Sequence, residues 1–212
     1  MEMKLDRLWL CGRGPSINIT YNCGCNDVFG NGKMKKAIFL DRDGVIIKEK
    51  GYISSLEQVE IFPYVADCLT KLKKAGYILI VITNQSAVAR GIITEKELEE
   101  IHSHLLHHLL IDDIFYCPHY PMFPEQKPYG IKCSCRKPET GLIDCAVVKY
   151  GIDINESYMV GDRASDILTG QNAGLITVLL NSGYGLERLE SQVFPDFIFS
   201  DLQEFCDFLL GQ

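Results

Sequence analysis

Asp41-Arg42-Asp43-Gly44 closes a short apolar run, and two carboxylates two positions apart can converge on one site where an extended chain turns into a loop. Close carboxylates repel, so the pair calls for a cation, and Mg2+ suits it through its preference for oxygen ligands and retained waters. With the ion in place, Asp41 can attack a phosphorus atom while Asp43 protonates the leaving oxygen and later activates water. Taken alone, the same four residues also read as a polar turn in which Gly44 supplies a positive φ.

Three further signals follow, two of them at the ends of apolar runs. Thr83-Asn84-Gln85-Ser86 offers a hydroxyl, amides and loop N–H groups that suit phosphate oxygens, although a plain capping loop has the same composition. Arg136-Lys137-Pro138 sets two cations ahead of a proline read as a first helical residue, and a lysine there can neutralise charge developing on a transferring phosphoryl group. Val160-Gly161-Asp162 supplies a carboxylate that completes the Mg2+ shell, with Asp166 bracing it from the first turn of a helix. Four such signals in this order resemble the haloacid dehalogenase (HAD) superfamily, whose members share a Rossmann-like core.

One long loop carries Cys117-Pro118-His119 and Cys133-Ser134-Cys135. Cys117, His119, Cys133 and Cys135 make a Cys3His set, a closed tetrahedral arrangement favoured by Zn2+ and structural because no position is left for water. It would stiffen a loop otherwise too long and proline-rich to hold one shape. The alternative is a set of free cysteines with a surface histidine. His102, His104, His107 and His108 lie on one helical segment and read as a partly exposed face.

Asp-Arg-Asp-Gly, Thr-Asn-Gln-Ser with Ala89-Arg90-Gly91 behind it, Cys-Pro-His, Cys-x-Cys-Arg-Lys-Pro and Gly-Asp-Arg together resemble the D-glycero-D-manno-heptose 1,7-bisphosphate 7-phosphatase family over residues 36 to about 208. The resemblance implies a Mg2+-dependent phosphatase acting on a small phosphorylated sugar, in bacterial heptose nucleotide synthesis for lipopolysaccharide or S-layer glycans. By position it makes Asp41 the nucleophile and a Mg2+ ligand, and Asp43 the proton donor, binding the ion through its backbone carbonyl. Asp162 becomes the remaining Mg2+ ligand, Thr83 and Lys137 stabilise the phosphoryl group, and Arg136 takes part in substrate recognition. Glu49, Lys50, Gly51 and Tyr52 fall where the family has a substrate-contacting loop, and Asn84, Gln85 and Ser86 line the same pocket. Two positions depart from the family: Val45 stands where Thr is usual, and Arg163 where Lys is common.

Two rivals share part of this pattern. Histidinol-phosphate phosphatase has the two leading acids, the zinc loop and a Gly-Asp-Arg motif, but its cationic substrate calls for an acid near the phosphate loop, where Ser86 and Arg90 stand here. A zinc-stabilised binding protein that has lost turnover would need a damaged site, yet Asp41, Asp43, Lys137 and Asp162 are all present. The anomer preferred depends on loop geometry beyond the reach of sequence.

These residues need strands to end beside one another. From Ala37 onward apolar runs alternate with helical periods: strands at Ala37 to Leu40, Tyr77 to Ile82, Ile114 to Tyr116, Tyr158 to Val160, Thr177 to Leu180 and Phe197 to Phe199. Helices are expected over Val65 to Ala75, Thr94 to Leu110, Leu142 to Tyr150, Ser165 to Ala173 and Leu202 to Leu210, with Thr94 and Glu97 spaced as a capping box. The alternation predicts an α/β fold, a parallel sheet with helices on both faces and ligands beyond the carboxyl ends of the strands, with a minimal cap and the zinc loop added.

A chain of 212 residues allows one main domain, assigned to 34–212. Residues 1–33 read as an irregular extension, with Met34 as a candidate natural start; the competing reading has Cys11, Cys23 and Cys25 helping to bind a metal. A formal charge of −7 and pI near 5.2 exclude a general electrostatic grip on nucleic acid or an anionic membrane. No apolar run of about 18 to 20 residues occurs and no signal peptide is evident, so cytoplasmic residence with reduced cysteines is expected; a monomer is the expectation, although the sequence leaves oligomeric state open.

Overall fold

The computed structural model describes residues 8–10, 34–189 and 191–211. Seven strands form one wholly parallel sheet: β1 (Leu8–Leu10), β2 (Ala37–Leu40), β3 (Ile78–Asn84), β4 (Asp113–Cys117), β5 (Tyr158–Gly161), β6 (Ile176–Leu180) and β7 (Phe197–Phe199), in the order β1-β4-β3-β2-β5-β6-β7. Five helices accompany them: α1 (Val65–Lys74), α2 (Glu95–His108), α3 (Gly141–Tyr150), α4 (Ala164–Ala173) and α5 (Leu202–Leu210).

The central strands are buried along almost their whole length because both faces are covered, and their side chains divide with a period of two. Ile38, Leu40, Leu79, Val81, Ile114 and Tyr116 join the core shared with α1, α2 and α5. Ala37, Phe39, Ile80, Ile82, Phe115 and Cys117 face the other way, onto Leu142, Ile143 and Ala146 of α3. Leu69 and Leu72 of α1 are fully buried, each contributing roughly 1.5–3 kcal/mol by the apolar area removed from water. α2 starts where its capping box places it: Thr94 Oγ1 accepts from the Glu97 N–H at 3.2 Å, and the Thr94 N–H donates to Glu97 Oε2 at 2.8 Å.

Two expectations change. The segment read as irregular contains β1, whose backbone pairs with Ile114–Tyr116 at one edge of the sheet; a three-residue strand is too short to carry a visible period. The readings made on Cys11, Cys23 and Cys25 lie outside the described residues. Pro138 is not a first helical residue, since α3 begins at Gly141.

The chain steps outward from β2 through β3 and β4, then returns to place β5 on the other side of β2. This reversal leaves a crevice at the carboxyl ends of β2 and β5. Asp41 and Asp162 are the first residues beyond those two strands.

Candidate active site

Asp41 remains tied to the sheet through its N–H, which donates to the Val160 carbonyl at 2.9 Å, so its side chain projects from a rigid strand end. Asp162 leaves β5 beside it, and Asp166 reaches back from the first turn of α4, where its Oδ2 accepts from the Arg163 N–H at 3.0 Å. Oxygens of all three buried carboxylates lie within 4.8 Å of one another. Asp166, expected only as a brace, is thus a full member of the group.

Lys137, 4% exposed, binds the cluster together: Nζ lies 3.0 Å from Asp41 Oδ1 and 2.6 Å from Asp166 Oδ1, and donates to the Ile82 carbonyl at 2.8 Å. Three carboxylates against one ammonium leave an excess of negative charge in a dry place. Burial, then the charges of Asp41 and Asp166, push Asp162 up to about 8. Burial raises Asp41 to about 6 against the pull of Lys137. Burial works to lower Lys137, but Asp166 and Asp41 outweigh it, and its pKa is raised.

The group fits a divalent cation. Asp162 Oδ2 accepts from the Tyr184 N–H at 2.9 Å, but its Oδ1 is buried and accepts no hydrogen bond. A Cβ on Gly44 or Gly183 would overlap Asp162 Oδ2, and Gly44 has φ of 83°, so both glycines are required for loops to close this tightly on the carboxylate. An all-oxygen donor set with surplus negative charge suits Mg2+.

Asp43 turns away from this cluster. Arg42 holds it with two hydrogen bonds, Nε to Oδ2 at 3.1 Å and Nη2 to Oδ1 at 3.0 Å, and Gln85 Nε2 donates to Oδ2 at 3.0 Å. Gln85 Nε2 also donates to Thr83 Oγ1 at 2.9 Å. Asn84 pairs with the Lys137 backbone instead, so the Asn84 and Gln85 amides are engaged with the protein itself.

Above the carboxylates opens a pocket of about 410 Å³ whose lining includes Asp41, Asp43, Glu49, Gly51, Tyr52, Thr83, Ser86, Arg136 and Lys137. Lys50 is not brought in; it pairs with Glu60 at 3.0 Å on the surface. The rim carries guanidiniums. Arg90 sits among aromatic rings, 4.5 Å from the Tyr120 centroid, 4.9 Å from Phe123 and 5.2 Å from Tyr52, and its buried Nε has no hydrogen-bond partner. Arg136 lies over the Tyr120 ring at 4.8 Å and donates to the His119 carbonyl at 3.1 Å. Arg163 pairs with Glu49 at 2.5 Å and lies over Tyr184 at 4.3 Å.

Tyr120 and the Ser182-Gly183-Tyr184 turn lie outside every motif of the sequence. The turn follows β6 at the same edge of the sheet, so the rule that led to Asp41 and Asp162 would have reached it. His102, read as part of a partly exposed face, is fully buried: Leu98, Ile101 and Leu105 share its side of α2, and Arg42 reaches it across the core.

The second cluster is assembled as the loop spacing requires. Cys117 Sγ lies 3.6 Å from His119 Nδ1 and 3.6 Å from Cys133 Sγ, while Cys135 Sγ lies 3.3 Å from Cys117, 3.4 Å from His119 and 3.2 Å from Cys133. A tetrahedron with metal–sulfur bonds of about 2.3 Å has edges of roughly 3.8 Å, so the four atoms stand close to a ready-made metal site. Hydrogen bonds from Cys117 and Cys135 pull the Cys133 thiol well below its ordinary value. All six described cysteines are free of disulfides, and no helix among the described residues is long and apolar enough to cross a membrane.

Comparison with known proteins agrees with this geometry. Residues 134–205 match the HAD-hydrolase-like family. A D-glycero-beta-D-manno-heptose-1,7-bisphosphate 7-phosphatase from Haemophilus ducreyi is 35% identical over 182 residues, covering 82% of this chain and 98% of the relative. A D-glycero-alpha-D-manno-heptose-1,7-bisphosphate 7-phosphatase from Photorhabdus laumondii is 45% identical over 150 residues, covering 66% of this chain and 79% of the relative. Among solved structures, a D,D-heptose 1,7-bisphosphate phosphatase from B. bronchiseptica, complexed with magnesium and phosphate, superposes with a TM-score of 0.71 at 28% identity, covering 83% of this chain and 98% of its own.

Proposed function

Because the chain belongs to the D-glycero-D-manno-heptose-1,7-bisphosphate 7-phosphatase family, we propose that it removes the 7-phosphate of a heptose 1,7-bisphosphate through a phosphoaspartyl intermediate on Asp41. It is a phosphoric monoester hydrolase of the HAD superfamily. The observation that carries the reading is a cluster of three buried carboxylates, two of them joined by the buried Lys137, beneath a pocket rimmed with arginines.

Asp41 Oδ1 is engaged by Lys137 Nζ and by the Arg42 N–H at 2.7 Å, which leaves Oδ2 to attack phosphorus in line with the scissile bond. The bond from phosphorus to the sugar oxygen breaks, and that oxygen leaves with a proton from Asp43. Asp43 then takes a proton from water, which attacks the aspartyl phosphate to release inorganic phosphate and restore Asp41. Thr83 and Lys137 hold the phosphoryl oxygens while charge shifts among them. Asp41, Asp162 and the Asp43 carbonyl would hold Mg2+, with Asp166 at hand, and the bound ion would supply the charge neutralisation that lets a phosphate dianion approach a carboxylate.

Arg90, Arg136 and Arg163 give the mouth of the pocket the charge needed for a second phosphate, with Glu49, Gly51, Tyr52 and Ser86 lining the space between. The same guanidiniums repel a cationic amino alcohol, which disfavours histidinol phosphate. We assign Zn2+ to Cys117, His119, Cys133 and Cys135 as a closed structural site that fixes the chain leading into Arg136 and Lys137. Cysteines without disulfides among the described residues agree with a reducing compartment such as the cytoplasm.

The test is phosphate release with Mg2+ from both anomers of heptose 1,7-bisphosphate, other sugar phosphates and histidinol phosphate. Preference for the heptose bisphosphates is expected, with one phosphate released per molecule. Asp41→Asn should remain folded and lose turnover; activity in that variant would refute the covalent route.

A further inference from the structure

We propose that His102, on α2 and outside every motif, is a positioning residue for Asp43, acting through the guanidinium of Arg42. The inference rests on the reading of Asp43 as the proton donor.

Arg42 is the largest fully buried side chain among the described residues, 1% exposed, and its guanidinium is anchored on every side. Nε and Nη2 grip the two oxygens of Asp43, Nη2 also donates to Gln85 Oε1 at 2.9 Å, and Nη1 lies 3.1 Å from His102 Nε2. Arginine has no acceptor, so His102 Nε2 must accept this hydrogen bond and its ring proton must reside on Nδ1. Burial and the charge of Arg42 keep the ring neutral, its pKa well below the ordinary value.

Nδ1 makes no hydrogen bond, and the ring packs edge-on against Tyr116 with centroids 5.1 Å apart. A buried N–H without a partner is a cost that leucine would not carry at this place, where the rest of the helix face is apolar. What His102 provides that leucine does not is the acceptor at Nε2. It fixes the outer edge of the guanidinium, while Gln85, donating to both Asp43 and Thr83, fixes the inner edge. Without that acceptor, Nη1 is left buried and unpaired, the guanidinium swings toward another partner, and the carboxylate gripped on its far side moves with it. Proton delivery to a departing oxygen tolerates little such displacement.

A leaving-group comparison tests this. An alkoxide leaving from a sugar phosphate needs a proton from Asp43, whereas p-nitrophenolate leaves without one. The value of kcat/KM, which reports the steps through departure of the leaving group, is measured with Mg2+ on heptose 1,7-bisphosphate and p-nitrophenyl phosphate for wild type, His102→Leu and His102→Gln. His102→Leu should lose about tenfold or more on the sugar ester and clearly less on the aryl ester. His102→Gln, whose amide oxygen can stand where Nε2 stood, should recover most of the loss. Equal losses on both esters, or no loss on either, overturn the proposal. His102→Met provides the same comparison should the leucine variant fail to fold. A wild type inactive on both esters would overturn the functional reading itself, and this one with it.

Discussion

Asn84 and Lys137 hold each other through two hydrogen bonds: Asn84 Oδ1 accepts from the Lys137 N–H at 3.0 Å, and Asn84 Nδ2 donates to the Lys137 carbonyl at 3.1 Å. The amide at the tip of β3 therefore sets the backbone from which the Lys137 ammonium reaches Asp41 and Asp166. Asn84→Ala leaves both Lys137 backbone groups without these partners and should cost about 1–3 kcal/mol of stability. Turnover should fall more than the apparent affinity for substrate does, because Lys137 acts on the charge of the transferring group. A chemical denaturation curve with paired kcat and KM values checks both, and unchanged kcat would show that Lys137 does not need this clamp.

Binding of Mg2+ should release a proton at neutral pH. A raised carboxylate pKa means that the metal-free protein retains a proton that an isolated aspartate would have lost, and Asp162 stands at about 8. Near pH 7 the ion must displace that proton, so about one should be released per ion bound. Well above pH 8 Asp162 is already ionised, release should approach zero, and apparent affinity should level off after rising with pH. Calorimetry in buffers of different ionisation enthalpy reads the count directly. Equal release at both pH values would remove Asp162 from the ligand set.

Cys133→Ala should lower zinc content from about one ion per chain and reduce the melting temperature by about 5 °C or more, since a closed structural site contributes its binding energy to folding. Elemental analysis beside a thermal melt tests the pair of effects. Equal zinc in the variant would count against the loop as its site.

Arg90→Lys keeps the charge but loses the flat guanidinium that lies among Tyr52, Tyr120 and Phe123. If Arg90 receives the phosphate that is not removed, KM for heptose 1,7-bisphosphate should rise about tenfold with kcat little changed. A sugar carrying a single phosphate should hardly notice the change. Equal effects on both substrates would place the second phosphate elsewhere.

Asp41, Thr83, Lys137 and Asp162 could be named before any coordinates because their signals are local. Asp41, Thr83 and Asp162 close apolar runs whose length and period announce buried strands, and parallel strands bring their ends to one edge, whereas Lys137 was legible from its place in the Cys-x-Cys-Arg-Lys-Pro run. The same locality made the Thr94 capping box and the Cys3His spacing legible. Lys50 and His102 mark where locality stops. Lys50 lies within a segment the family resemblance assigned to substrate, yet it pairs with Glu60 on the surface. His102 lies in a run of four histidines that looks solvated, yet it alone among them is fully buried.

The amino-acid sequence by itself determined the order of strands and helices from Ala37 onward, the residues at the strand ends and the Cys3His spacing of the loop. These depend on periodicity and spacing along the chain. Only the tertiary structure decided that Asp41 faces Lys137, Asp162 and Asp166 while Asp43, two residues on, faces Arg42 and Gln85. The direction of a side chain at a strand end is set by the partners and open space around it. Apart from Arg42, which lies between the two aspartates, those partners arrive from the segments just beyond β3 and β5, from the loop before α3 and from α4, tens of residues away along the chain.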